Sequence, residues 1–179
     1  MGHRHTKQEL LDGALAVAFA NGLSQLTFGR VAKHIGINDR TVVYYFPTKH
    51  DLITEVLLAM GLRLQETLAA AFVEPARDHI ELLQRAWPVV ATTDADPVFA
   101  LFFEANGLAA SGLEPFSSVL ADLVNAWIDW AELFIDDSAP DRRVEAETAI
   151  AVLDGLLLLR QLAGPGVAER AARRLGITT

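Results

Sequence analysis

The sequence contains no cysteine. Disulfide frameworks, thiolate zinc sites and cysteine nucleophiles are thereby excluded, and the composition suits a reducing cytoplasm. No apolar run reaches the ~20 residues that cross a bilayer; the longest, Ala149 to Leu159, is broken by Asp154 and closed by Arg160. The opening Met-Gly-His-Arg-His leads into an amphipathic segment with acidic residues, not into a signal peptide. Strand signals are scarce: the lone Asn21-Gly22 pair sits between helical patterns. A Ser-His-acid arrangement, a phosphate-cradling glycine loop and an HExxH zinc motif are all missing. An enzyme on this chain would need an acid–base pair converging in a pocket. His3 and His5 could hold a stray metal, but a chain terminus is a poor setting for one, so neither a metal nor a cofactor is expected.

What is present is a chain of 179 residues, 51% hydrophobic and 21% charged, the profile of a soluble globular protein of one or two domains. Its net charge of −8 is unevenly spread. Residues 1–50 hold six Lys/Arg against three acids, with four of the five histidines, whereas the remainder holds nine bases against twenty acids. That asymmetry suggests an acidic body bearing a small basic head.

The periodicity is helical throughout, and about nine helices are expected. From His5 to Ala20, apolar residues recur every three or four positions up to the Asn21-Gly22 stop. Thr27 caps a short helix to about His34 that ends at Gly36, and Asn38 caps another that ends near Phe46-Pro47. A capping box, Thr48-Lys49-His50-Asp51, opens a long helix. Pro75, Pro97, Pro115 and Pro140 mark further helix starts, and Gly164-Pro165-Gly166 sets off a last helix from about Val167 to Leu175.

Residues 27–46 carry the functional signal. Two short helices joined by Gly36-Ile37-Asn38 form a helix-turn-helix, with glycine where the chain needs a left-handed residue. At ~100° per residue, Val42, Val43 and Phe46 fall on one side of the second helix, with Asp39, and Arg40, Thr41, Tyr44 and Tyr45 on the other. A guanidinium, a hydroxyl and two phenols suit a DNA groove: Arg forks onto guanine, Thr donates to base or phosphate, and Tyr holds phosphate oxygens. A protein contact through the paired tyrosines is the alternative. Lys49 opens the next helix, where a lysine opposes the helix dipole but suits a neighbouring phosphate. Asp39 either complements its own helix dipole or accepts from a cytosine amino group.

The run Leu26-Thr27-Phe28-Gly29-Arg30-Val31-Ala32-Lys33-His34-Ile35-Gly36-Ile37-Asn38, continued by Thr41, Phe46, Lys49 and Asp51-Leu52-Ile53, resembles the N-terminal signature of the TetR family of transcriptional regulators. Phe19-Ala20-Asn21-Gly22 is similar to the end of that family's first helix. The Leu153-Asp154-Gly155-Leu156 stretch is similar to one in its penultimate long helix. The resemblance implies an all-α chain with a three-helix DNA-binding domain (residues 1–47) and a helical ligand-binding and dimerisation domain (48–179). It implies that Thr27, Arg40, Thr41, Tyr44, Tyr45 and Lys49 approach DNA and that the protein acts as a dimer. One departure stands out: the family usually has tyrosine where this chain has Val43, and histidine or a similar residue at Tyr45. The usual phosphate contact would then move to Tyr44.

In the acidic body, two apolar stretches, about 115–135 and 141–162, either pack within one subunit or form a four-helix interface between two. Aromatic residues (Trp87, Phe99, Phe102, Phe103, Trp127) with Asn106 and Asp154 are core or a pocket for an unidentified small-molecule effector. The expectation is a cytoplasmic, homodimeric regulator. It would act as a repressor on a palindromic double-stranded operator and be released by that effector. A helical ligand-binding or protein-interaction module without operator preference is the alternative.

Overall fold

Local capping decides where most of the helices begin and end. The computed structural model describes residues 5–178, and among these it contains nine α-helices and no strand longer than an isolated bridge. The helices are α1 (Lys7–Asn21), α2 (Phe28–Ile35), α3 (Asp39–Tyr45), α4 (Lys49–Ala69), α5 (His79–Val90), α6 (Asp96–Ala110), α7 (Phe116–Glu132), α8 (Arg142–Ala163) and α9 (Pro165–Arg174). No helix among the described residues is long and apolar enough to cross a membrane. His3 lies outside the described residues, within which no group of His, Asp or Glu side chains is placed to hold a metal ion.

Thr6 opens α1 with a reciprocal capping box to Glu9. Thr27 caps α2 by accepting from the Arg30 amide, and Gly36 ends that helix at φ +80°, a left-handed conformation that costs glycine little. Asn38 Oδ1 accepts from the Arg40 amide at 2.9 Å to start α3. Thr48 and Asp51 form the expected reciprocal pair at the start of α4, with bonds of 2.9 and 3.0 Å. These Thr48 hydrogen bonds hold the Asp51 carboxyl below its ordinary pKa.

Two proline expectations are corrected. Pro75 starts no helix: residues 70–78 are irregular, and α5 begins at His79 behind the Asp78 cap. Ala76 is held there by a short parallel bridge to Ile135, so backbone pairing replaces a helical turn. Pro140 likewise precedes the true cap, Asp141, whose side chain accepts from the Val144 amide. Pro165, in contrast, is the first residue of α9, two residues earlier than expected.

The helices divide into two compact units. The first comprises the chain up to Leu62 together with Leu101–Leu120. Its core is built from Leu10, Leu15, Leu23, Leu26, Val31, Val42, Phe46 and Leu52, all essentially inaccessible to solvent. Gly13 is buried where a Cβ would meet the Ile35 side chain at 2.6 Å, so glycine is what lets α1 and α2 approach so closely. Lys7 Nζ reaches Glu55 at 2.6 Å and ties α1 to α4. From α6, Glu104 accepts the Leu23 and Ser24 amides, each at 2.9 Å, and so fixes the turn after α1.

The second unit comprises Arg63–Ala100 and the chain from Ala121 onward. There α5, α8 and α9 bury Leu82, Leu83, Ala86, Trp87, Leu156, Leu157 and Ala168. The Trp87 indole N–H donates to Glu169 at 3.0 Å. Arg160, only 8% exposed, forms a two-pronged pair with Asp96 at 2.6 and 3.0 Å.

Candidate nucleic-acid interface

The helix that would enter a groove is only seven residues long, so its orientation depends on what anchors it. Val42 and Phe46 are fully buried and provide that anchor. Opposite them, Arg40 and Tyr44 are exposed, Tyr44 at 74%, and neither side chain has a hydrogen-bond partner among the described residues. They are one turn apart on the same side, a guanidinium and a phenol facing outward together.

The flanks of α3 differ from the sequence expectation. Val43, expected in the core, is 40% exposed. Tyr45, expected to face outward, is half-buried, and its hydroxyl donates to the His5 carbonyl at 2.8 Å. The reason is geometric. An axis drawn midway between Val42 and Phe46 leaves positions 43 and 45 at about the same angle, roughly 80°, on either side. Periodicity therefore cannot rank them; the neighbouring chain segment at His5 does. The Tyr45 ring also meets Tyr44 edge-on at 5.1 Å, which steadies the exposed phenol.

The other expected contacts are arranged around this helix. Thr27 is exposed at the start of α2, its hydroxyl engaged by the Arg30 amide. Thr41 is half-buried. Lys49 is exposed at the start of α4 and has no ion-pair partner among the described residues. Two basic groupings go beyond the sequence expectation, which singled out only Lys49 among their members. Arg30, Lys33 and His34 line a shallow concavity with Val17 and Asn21. Lys49 and His50 border a cavity of about 300 Å³. The basic balance of residues 1–50 was the available signal for both, but it carries no positional information.

The expected pocket residues are divided between the two units. Phe102, Phe103 and Asn106 are half-buried in the first, where the two rings pack at 5.5 Å. Trp87 and Phe99 are buried in the core of the second. Trp127 stacks edge-on with Trp130 at 5.3 Å, and Trp130 continues to Phe134 and Phe72. None of the seven lines the 300 Å³ cavity.

Asp154 is half-buried on α8 without a hydrogen bond or ion pair among the described residues, and desolvation pushes its pKa up from 3.8 to about 6. An acid whose native pKa is raised binds its proton more tightly in the folded state. Its contribution is therefore full below about pH 4 and is lost as pH rises to about 6. Asp154→Asn should flatten that decline and raise stability at pH 7 by about 1–2 kcal/mol, allowing for screening at its partly exposed edge. Urea melts between pH 4 and 7 measure it; parallel curves for the two proteins would exclude a desolvated Asp154.

Residues 10–56 match the family described as bacterial regulatory proteins, tetR family. No curated protein matches the chain. Among solved structures, the chain is similar to a transcriptional regulator from Rhodococcus sp. at 20% identity and TM-score 0.73, covering 93% of this chain and 91% of the other. It is similar to a TetR transcriptional regulator from Legionella pneumophila at 20% identity and TM-score 0.69, over 98% and 97%. It is also similar to the multidrug binding protein EbrR, complexed with imidazole, at 20% identity and TM-score 0.70, over 97% and 96%.

Proposed function

We propose that the chain is a ligand-responsive repressor of the TetR family of bacterial regulatory proteins, binding a palindromic operator as a homodimer; residues 10–56 match that family's model, and the fold is similar to that of a TetR transcriptional regulator. Being a DNA-binding transcriptional regulator, it is not an enzyme. In this reading residues 1–47 serve as the DNA-binding domain and 48–179 as the ligand-binding and dimerisation domain. The observation that carries it is the pairing of exposed, unpartnered Arg40 and Tyr44 with a fully buried Val42 and Phe46 behind them.

Arg40 is assigned to a base edge, Tyr44, Lys49 and Thr27 to phosphates, and Thr41 to either. Tyr45 contributes through its ring and its hold on the segment before α1. Two such helices, one from each subunit, enter successive major grooves about 34–36 Å apart. Lys49→Ala should weaken binding to all sequences and lower the log–log salt slope by about one unit for each phosphate that is no longer neutralised. Arg40→Ala should instead relax preference at one base pair per half-site, at about 1–3 kcal/mol. Gel-shift titrations with operator and random duplex at several salt concentrations separate these effects. Uniform weakening by Arg40→Ala would move that residue to the backbone set, and no preference for any palindrome would favour the interaction-module reading.

Dimerisation is assigned to the segments 115–135 and 141–162. Supporting it, α8 exposes Val144, Ala151, Gly155, Leu158 and Leu162, with half-exposed Thr148 between the first two. Those positions repeat at alternating steps of four and three, the spacing of a seam between helices. Gly155 lets a second backbone approach closely. Leu158→Glu should raise the dimer dissociation constant by at least about tenfold, read by sedimentation; an unchanged constant would move the interface elsewhere.

A small-molecule effector acts only through its difference in affinity for the DNA-competent and DNA-incompetent states. The fold shared with a multidrug binding protein supports this part of the reading.

A further inference from the structure

We propose that the cavity in the first unit is a binding site for a small amphiphilic organic anion, a compact ring system bearing a carboxylate, with Lys49 as its counter-ion. The cavity of about 300 Å³ is bordered by the turn after α1 (Leu23, Ser24), the start of α4 (Lys49, His50, Ile53) and the α6–α7 connection (Leu108 and Leu113 to Phe116). Its volume lies at the low end of the ~300–1,000 Å³ range of ligand sites and so suits one or two fused rings.

Chemistry selects the occupant. Leu23, Ile53 and Phe116 are buried walls, and Pro115 adds a rigid apolar surface. The polar groups are few and of two kinds. Glu114 supplies a negative charge, but its two carboxylate oxygens already accept the Ser117 and Ser118 hydroxyls. Lys49 and His50 supply donors, and the Lys49 ammonium has no ion-pair partner among the described residues. An apolar body fills the walls and a carboxylate meets the free ammonium; a neutral or cationic compound leaves that donor unmatched. Lys49 therefore favours an anion over its neutral analogue, against the opposing charge of Glu114.

The site has a direct consequence for regulation, which rests on the reading that Lys49 holds a DNA phosphate. One ammonium cannot serve both anions fully, so a bound carboxylate competes with DNA at the start of α4. Release would then need no change in the rest of the molecule.

Binding is tested on the full chain without DNA, using 2-naphthoate as the probe and following its fluorescence. Saturable binding to one site per chain is expected, with a dissociation constant below about 1 mM. Lys49→Met should weaken it by at least about tenfold, and 2-naphthalenemethanol should bind wild type more weakly by a similar factor. Leu113→Trp, at an exposed connection residue, should fill the cavity and abolish binding; a melting curve checks that each variant remains folded. No saturable binding, or affinity undiminished in Lys49→Met, overturns the site. Adding operator duplex separates the two ideas. If naphthoate binds in this pattern and lowers duplex affinity, site and competition both stand. If it binds and duplex affinity is unchanged, the site stands and the shared role of Lys49 falls.

Discussion

Asp96→Ala is expected to cost about 3–5 kcal/mol of unfolding free energy, the largest effect of any single substitution proposed for this chain. The Arg160 guanidinium is 8% exposed, and both oxygens of Asp96 hold it, at 2.6 and 3.0 Å. Removing the carboxylate leaves a cation that cannot rehydrate without opening the structure around it. The Asp96 carbonyl, which accepts from the Gln161 side chain at 2.8 Å, is untouched, so the loss isolates the charge. For a chain of this size the melting temperature should fall by roughly 10 °C. The double variant Asp96→Leu, Arg160→Met should be considerably less destabilised, because apolar groups of similar volume remove the stranded charge along with the pair. Urea denaturation of the three proteins decides it. A loss under about 1 kcal/mol for Asp96→Ala would mean that water reaches the guanidinium freely.

Glu104→Ala should cost about 2–3 kcal/mol, and it should do so in the turn after α1. Two backbone amides, those of Leu23 and Ser24, donate to one carboxylate. Bonds to a charged acceptor contribute about 1.5–3 kcal/mol each, reduced here because the Ser24 bond is exposed. Gly22, at φ +85°, brings the backbone so close that a Cβ there would sit 2.9 Å from Glu104 Oε2. Glu104→Gln should recover little. Its carbonyl can accept one amide, but its NH₂ then faces the other, donor against donor. Amide exchange at Leu23 and Ser24 gives the local readout, and it should accelerate in both variants while exchange in the Leu156–Leu157 region stays unchanged. Unaltered protection at Leu23 and Ser24 would show that the clamp does not hold in solution.

These two contacts also mark where sequence reading stops. The helix-turn-helix was legible because its determinants are local: Thr27, Gly36, Asn38 and the Thr48/Asp51 box act over two or three residues. The anchoring of α3 by Val42 and Phe46 followed from the same short-range periodicity. The ranking of Val43 against Tyr45 did not, since it depends on a hydrogen bond to His5 forty residues away. Nothing local marks Glu104 for its role, because its carboxylate closes a turn some eighty residues earlier. Pro75 had the local signature of a helix start, and a bridge to Ile135 outweighed it. The aromatic residues of the body gave no usable signal: the same side chains serve a core or a pocket, and the partner of the Trp87 indole, Glu169, lies eighty-two residues away in the chain.

The Glu104 clamp has a consequence for protein engineering. A turn whose amides are satisfied by a side chain from α6 is not self-sufficient, so the first three helices are not a cassette to be cut out at the end of α3. Grafted onto a foreign body that lacks a carboxylate at the matching place, they would lose the charged acceptor of both amides and leave the part-buried Leu23 donor without its partner. A transplant that carries Leu101–Leu120 along with the N-terminal helices keeps the acceptor and should travel intact.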